Sequence, residues 1–413
     1  MKNRTILILL FCFLNTACFA QAVRSLDYYL DHALKNSPLS KDYGNRLIAN
    51  LIDSQRLRAT FEPQVNAVAN NNWFPLVNGY GYDAILSNGA AFNDLVNLNQ
   101  AFIGRKNLRA QYNGIRLAGD SLSNEQKLSE QDLKRTITAQ YIVAYGDLQQ
   151  LNFNIETNKL LRNQGAILKR LTENNIYRQT DYLTFFVILQ QQALQVKQLR
   201  IQFQTNYATL NYLCGIFDTT SSELTEPDIP IQYSPVSSTS IFFLRFVTDS
   251  LLRQNDMAIL NYSYRPKLSV FANAGYSSSL AYQAYKNFGT GLGFGVNVPI
   301  YDGHQKKMQE QKIHLLMNTN SEYRDFFAKQ YQQQIAMLQQ QLSSTQSLIS
   351  EINDQIVYSQ GLIDVNGKLL QTGDAKISDY VIAINNYLAA KNLLTQNNIS
   401  RLQIINQLNY WNR

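Results

Sequence analysis

Between Tyr331 and Leu370 the apolar residues keep a rhythm that few folds can accommodate. Tyr331, Ile335, Leu338, Leu342, Thr345, Ile349, Ile352 and Ile356 are separated alternately by four and three positions, and the stripe continues through Ser359, Ile363, Asn366 and Leu370. Spacing that averages 3.5 keeps one narrow seam turned to a partner helix and winds the pair left-handedly. The flanking residues are mostly Gln, Ser, Asn and Asp rather than the Glu/Lys pairs of a free coiled coil. The stretch predicts a long helix that needs neighbours on its seam and water on at least one side. A disordered glutamine tract is the bland alternative, but the apolar residues between Gln332–Gln334 and Gln339–Gln341 never lose phase.

The start of the chain predicts export. Lys2 and Arg4, the apolar run Ile6–Leu14 and the small-x-small triplet Cys18-Phe19-Ala20 have the order of a signal peptide covering residues 1–20. A lipoprotein signal ending Thr16-Ala17-Cys18 would instead leave Cys18 acylated, although Asn15 stands where that signal takes an aliphatic residue. Removing residues 1–20 takes two of the 37 basic residues and none of the 30 acids, so the balance falls from +7 to +5. A charge so mild and dispersed does not point to nucleic acid. Only Cys214 then remains of the three cysteines, which leaves no internal disulfide. No later run is apolar for about 18 residues, so any membrane insertion must use strands.

Taken in order, Ser25–Ala59 reads as a helix capped by Ser25, with a possible break at Asn36-Ser37-Pro38. Pro63 opens a strand in which Val65, Ala67, Ala69 and Trp73 alternate with polar residues, and a less clear strand follows around Phe92–Phe102. Helices are expected from Gly104 to Glu173 and from Thr180 to Leu213, joined by a turn near Asn174-Asn175. Residues 214–240, with Pro227, Pro230 and Pro235, form a connector. The pattern then recurs. Tyr264-Arg265-Pro266 matches Phe61-Glu62-Pro63, Asp379-Tyr380 matches Asp181-Tyr182, and Asn409-Tyr410 matches Asn211-Tyr212. The expected organisation is therefore a first repeat, 21–213, and a second, 241–413. Each repeat holds a helix, two strands and a long helical hairpin. The second leading helix, Ile241–Tyr262, is expected to be about four turns shorter than the first.

The second pair of strands is the clearer one. Leu268, Val270, Ala272, Ala274 and Tyr276 alternate with Ser269, Asn273 and Gly275, with Phe271 as the exception. In Gly289–Ile300, Leu292, Phe294, Val296 and Val298 alternate with Gly291, Gly293, Gly295 and Asn297. One apolar and one small or polar face suits a barrel with lipid outside and water inside, and equally a soluble sandwich with one wet face. Four strands cannot close a barrel in lipid, where open edges go unsatisfied, so an inserted barrel must be shared between chains. Two chains would supply eight strands and three would supply twelve.

These features resemble the TolC-like outer-membrane efflux proteins over nearly the whole mature chain. The likeness lies in the opening Leu26-Asp27-Tyr28-Tyr29-Leu30, the strand openings at Pro63 and Pro266, the joint Val298-Pro299-Ile300-Tyr301-Asp302-Gly303, and the tip from Thr372-Gly373-Asp374 to Ser378-Asp379-Tyr380. The resemblance implies a mainly α fold with a β-barrel part. Long helical hairpins would form an α-barrel, and four strands per chain would contribute to a twelve-stranded barrel in the outer membrane of a homotrimer. It also implies a passive exit duct joined through a periplasmic adaptor to an inner-membrane pump, with no cofactor. Ile382 stands where the family often carries a second acid after Asp379.

No catalytic constellation emerges. His32, His304 and His314 lack metal-ligand spacing, Cys214 has no nearby His, and Gly291-Gly293-Gly295 alternates as a strand does. The residues singled out are therefore structural or electrostatic. Asp181 and Asp379 lie just after the hairpin turns, where copies related by symmetry would form acidic rings, or where each caps its own helix. Asn175, Ile176, Gly373 and Asp374 form the exposed tip expected to dock the adaptor. Trp73, Phe74, Tyr80, Tyr276 and Tyr282 are candidates for an aromatic girdle, although strand propensity also accounts for them. The rival readings are a pump adaptor, which would carry one hairpin rather than two, a soluble periplasmic coiled-coil scaffold, and, last, an enzyme.

Overall fold

The computed structural model describes residues 24–83, 88–218, 220–232, 240–280 and 283–412. The signal-peptide and Cys18 readings, Pro235 and Tyr282 lie outside them. The helices are α1 (Leu26–Asn36), α2 (Pro38–Thr60), α3 (Arg105–Glu173), α4 (Gln179–Leu213), α5 (Ile241–Ser263), α6 (Gln305–Thr372) and α7 (Ile377–Trp411). The strands are β1 (Gln64–Trp73), β2 (Ala90–Phe102), β3 (Lys267–Ser278) and β4 (Phe288–Asn297).

The break expected at Asn36-Ser37-Pro38 divides the Ser25–Ala59 stretch into two helices. Ser25 caps the first as anticipated, its Oγ accepting from the Tyr28 amide at 3.3 Å. Pro38 cannot continue that helix, because its ring drives the preceding residue out of the helical region. Ser37 is accordingly extended (φ −61°, ψ 120°), and its amide donates to the Ala33 carbonyl. Counted from Pro38, α2 has 23 residues and so does α5. The apparent shortfall of the second leading helix is the separate α1.

Two compact units emerge, and they cut across the division at residues 214–240. One comprises Asp42–Gln126 and Ile241–Phe327 and holds the sheet. Its strands run in the order β1-β2-β3-β4, every neighbouring pair antiparallel, with β1 and β4 at the edges. Pro63 and Pro266 directly precede β1 and β3, where a missing amide costs no ladder hydrogen bond. β4 ends at Asn297, so Val298 to Ile300 lie beyond the strand.

Register sorts the strand residues into two faces, because directly paired residues share a side. One face carries Val65, Val96, Leu98, Leu268, Val270, Leu292, Phe294 and Val296. The other carries Asn66, Asn70, Asn93, Asn97, Asn99, Asn273, Asn297 and the β4 glycines. The apolar face is bare. Leu292 is 87% exposed and Phe294 77%. Asp94 interrupts it beside Ala69 and Tyr276, and the weak alternation of β2 in the sequence comes from such exceptions.

The other unit comprises residues up to Lys41, Lys127–Ser240 and Ala328–Arg413. Of α3 (69 residues) and α6 (68), the parts from Lys127 and from Ala328 onward belong to this unit. The seam of α6 behaves as its spacing predicts. Tyr331, Ile335, Leu338, Leu342, Ile352, Ser359, Ile363 and Leu370 are buried, and Thr345, Ile349, Ile356 and Asn366 half-buried. Leu338 and Leu342 pack against Ile405 and Leu408 of α7. On α3 the expected stripe through Leu133, Ile137, Tyr141, Ala144, Leu148 and Leu151 is covered, but Ile155 is exposed, and Asn154, Asn158 and Leu161 take the buried side instead. Asn409 stitches the connector to α7: it accepts from the Gln232 amide (2.7 Å) and donates to the Pro230 carbonyl (2.8 Å).

Candidate functional site

Each long hairpin turns on one left-handed residue. After α3 it is Asn175 (φ +59°), and after α6 it is Gly373 (φ +84°). The next amide reaches back five residues in both cases: Ile176 donates to the Leu171 carbonyl and Asp374 to the Leu369 carbonyl, each at 2.9 Å. This is the hydrogen bond with which a left-handed residue ends a helix, and Asn is the best non-glycine occupant. The second helix of each hairpin then starts after a basic residue, Arg178 before α4 and Lys376 before α7.

The two turns meet. A Cβ at Gly373 would lie 3.2 Å from the Ile176 Cγ2, so this glycine also admits its neighbour's side chain. The Tyr177 hydroxyl sits 3.1 Å from the Leu370 carbonyl oxygen and 2.9 Å from that of Ala375, within donor reach of both. Burial, and then the charges of Asp374 and Asp181, hold that hydroxyl's pKa above the usual tyrosine range. Beside it opens a cavity of about 580 Å³ whose walls include Tyr177, Asp181, Thr184, Asp374, Lys376 and Ile382. The sequence-derived tip residues Asn175, Ile176, Gly373 and Asp374 are exposed, and the structure brings Ile176 and Gly373 into contact.

Asp181 and Asp379 occupy equivalent positions in the first turns of α4 and α7 but do different things. Asp181 is half-buried, and its Oδ2 accepts from the Arg178 amide at 3.3 Å, satisfying one of the free amides at a helix start. Asp379 is exposed, and its Oδ1 accepts from the Ser378 hydroxyl at 3.3 Å. Helix capping thus describes Asp181. Tyr177 was not singled out in the sequence; its signal is an aromatic ring two residues past a helix-ending Asn, where the second hairpin has Ala375.

A second polar feature lies within the helices. Asp147 is 5% exposed, and its carboxylate accepts from the Gln202 amide (2.8 Å) and from the Asn206 amide. Burial outweighs these bonds and raises its pKa above the normal carboxylate value. Cys214 is buried, and desolvation pushes its thiol up to about 12, which makes it a poor nucleophile. Among the described residues no helix is long and apolar enough to cross a membrane, and no cluster of His, Cys, Asp and Glu could hold a metal ion.

No protein-family model matches the sequence, and no curated protein does. Solved structures do. The outer membrane protein VceC of Vibrio cholerae aligns with a TM-score of 0.77 over 94% of this chain and 96% of its own, at 13% identity. The open state of the Neisseria gonorrhoeae MtrE outer membrane channel gives 0.75 over 94% and 88%, at 10% identity. The Campylobacter jejuni CmeC outer membrane channel gives 0.73 over 94% and 85%, at 13% identity.

Proposed function

We propose that this chain, which has the fold of the TolC-like outer-membrane channels, is the exit duct of a tripartite efflux or type I secretion system. The observation that carries the reading is the sheet: one bare apolar face, one amide-and-glycine face and two unpaired edges. In water such a sheet would aggregate through its face and edges. In a bilayer the apolar face meets acyl chains, and the edges are satisfied when β4 of one copy pairs with β1 of the next. Three copies make a twelve-stranded barrel.

The helices support the same assembly. Beside its buried seam, α6 carries a second stripe with alternating four- and three-residue steps, from Met337 through Leu348, Tyr358, Leu362 and Val365 to Leu369, all exposed. On α4, Val187, Leu194, Ile201 and Ala208 recur every seven residues and are exposed as well. Seams at coiled-coil spacing that the chain leaves uncovered fit the helices of another copy. The matched lengths of α2 and α5 and of α4 and α7, 35 residues each, favour an origin by tandem duplication.

In this reading the duct does no chemistry. An adaptor carried by an inner-membrane pump docks on Asn175, Ile176, Gly373 and Asp374 and loosens the hairpin tips. Asp379, exposed and held by the Ser378 hydroxyl rather than by a backbone amide, is the better candidate for an acidic ring that favours cations, with Asp181 behind it. The test is purification from membranes in detergent, followed by particle imaging and planar-bilayer recording. A three-fold particle that conducts ions supports the duct. A monomer that stays in solution without detergent overturns it in favour of a periplasmic scaffold.

A further inference from the structure

Phe271 is the one aromatic residue that strand register places on the amide-and-glycine face; Trp73, Phe92, Phe102, Tyr276, Phe288 and Phe294 all fall on the other. It pairs with Asn99 on β2 and Gly293 on β4. Its ring lies across the glycine: a Cβ at Gly293 would fall against the Phe271 ring. Asn273 leans over Gly291 in the same way, its Oδ1 2.6 Å from the Cβ that residue lacks. An aromatic ring laid over a cross-strand glycine covers backbone that would otherwise be open.

Cover alone does not account for the position. The ring is still 41% exposed, and its neighbours on that face are Asn, Ser and Gly, with no opposing layer to bury it. Gly291, Gly293 and Gly295 remove the side chains that would stand beside it, so the ring lies open on a low surface. Lys267, at the end of β3, is the only charged side chain on that face, so Asn amides and glycine backbone dominate it.

We propose that Phe271 is a cargo-contact residue, an aromatic surface that engages lipophilic cations and aromatic molecules passing along an otherwise amide-lined wall. The inference rests on the channel reading, since it assigns this face to the water-filled interior. Repeated once per copy, the ring offers a π-face to cations and apolar area to aromatic groups. Selectivity then resides partly in the duct.

Single-channel recording tests this, with tetraphenylphosphonium and tetraethylammonium as blockers of equal charge. The wild-type channel should be blocked at lower concentration by the aromatic cation. Phe271→Leu, which still covers Gly293 but has no π-face, should weaken that block roughly two- to five-fold, the size of an exposed cation–aromatic contact. It should leave tetraethylammonium block and conductance as they were, while Phe271→Tyr should restore the wild-type ratio. Phe271→Met serves in place of the leucine variant should that one not insert. Equal block of wild-type and variant channels by tetraphenylphosphonium would overturn the proposal and leave Phe271 as a cover for Gly293. A wild-type protein that stays a monomer in solution without detergent sinks the channel reading itself, and this inference with it.

Discussion

Asp147 is the residue whose chemistry is most at odds with its surroundings. Two amides hold its carboxylate, but neither carries the charge that would offset burial. Asp147→Asn should stabilise the helices by about 1 kcal/mol at neutral pH, because the isosteric amide keeps a hydrogen bond without a buried charge. The sign of the pH dependence follows from the raised pKa. The folded state binds this proton more readily than the unfolded state, so the wild type loses stability as pH rises through the folded value. The gap between variant and wild type in thermal melts should therefore open with rising pH and close in acid. Tyr177→Phe removes the hydroxyl held near Leu370 and Ala375 and should cost about 1 kcal/mol locally. Hydrogen exchange should quicken at the second turn while the middle of α6 stays unchanged. Neither residue was visible beforehand. Asp147 lies 55 and 59 positions from its partners, and Tyr177 acts through backbone carbonyls nearly two hundred residues away, so no local pattern betrays either. The left-handed residues were legible at Gly373, and less so at Asn175, which shares its turn geometry without its composition.

Among the elements, the α6 seam was readable because the residues from Tyr331 through Ile335, Leu338 and Leu342 to Leu370 keep one spacing that only a packed helix needs. The second stripe on the same helix escaped notice because Gln341, Ser344, Glu351 and Gln355 occupy four of its positions. The two seams make opposite predictions. Leu338→Ala, in the buried seam, should cost about 2–5 kcal/mol of stability whatever the protein concentration. Leu362→Asp lies in the exposed stripe. It should leave helix content unchanged by circular dichroism yet shift the detergent-extracted protein toward monomer in sedimentation. An unchanged oligomer would mean that this stripe faces water or lipid-free solvent in the assembly rather than another copy. At β2 the sequence was nearly silent, since Asp94 and Gln100 fall on the apolar face and Leu95 on the other. Its strand character comes from pairing on both sides by β1 and β3, which no window of ten residues contains.

For the molecule as a whole, the order of helices and strands could be read from periodicity and from the recurrence of short motifs, but the compact units could not. The sequence divides at residues 214–240, whereas the folded chain groups the sheet and the helices next to it from both halves in one unit and the hairpins from Lys127 and Ala328 onward in the other. The halves join where β2 pairs with β3 and where Leu161, Leu168 and Phe185 of the first half share a core with Ile363, Leu370 and Tyr380 of the second. Asn409 shows this at one residue. Its counterpart Asn211 donates to Asp218, seven residues further on, whereas Asn409 reaches the connector at Pro230 and Gln232.

The open edges of the sheet have a genetic consequence. In the proposed ring, a strand that completes itself only on a neighbour would make each copy a template for the next, so one faulty subunit would spoil the whole ring it enters. Proline at Ala67 of β1, inside the ladder, should produce such a subunit. Expressed in equal amount beside the wild type, it would leave roughly one assembly in eight free of the defect for a three-membered ring. Loss of function would then be dominant, in a cell that still makes plenty of sound protein.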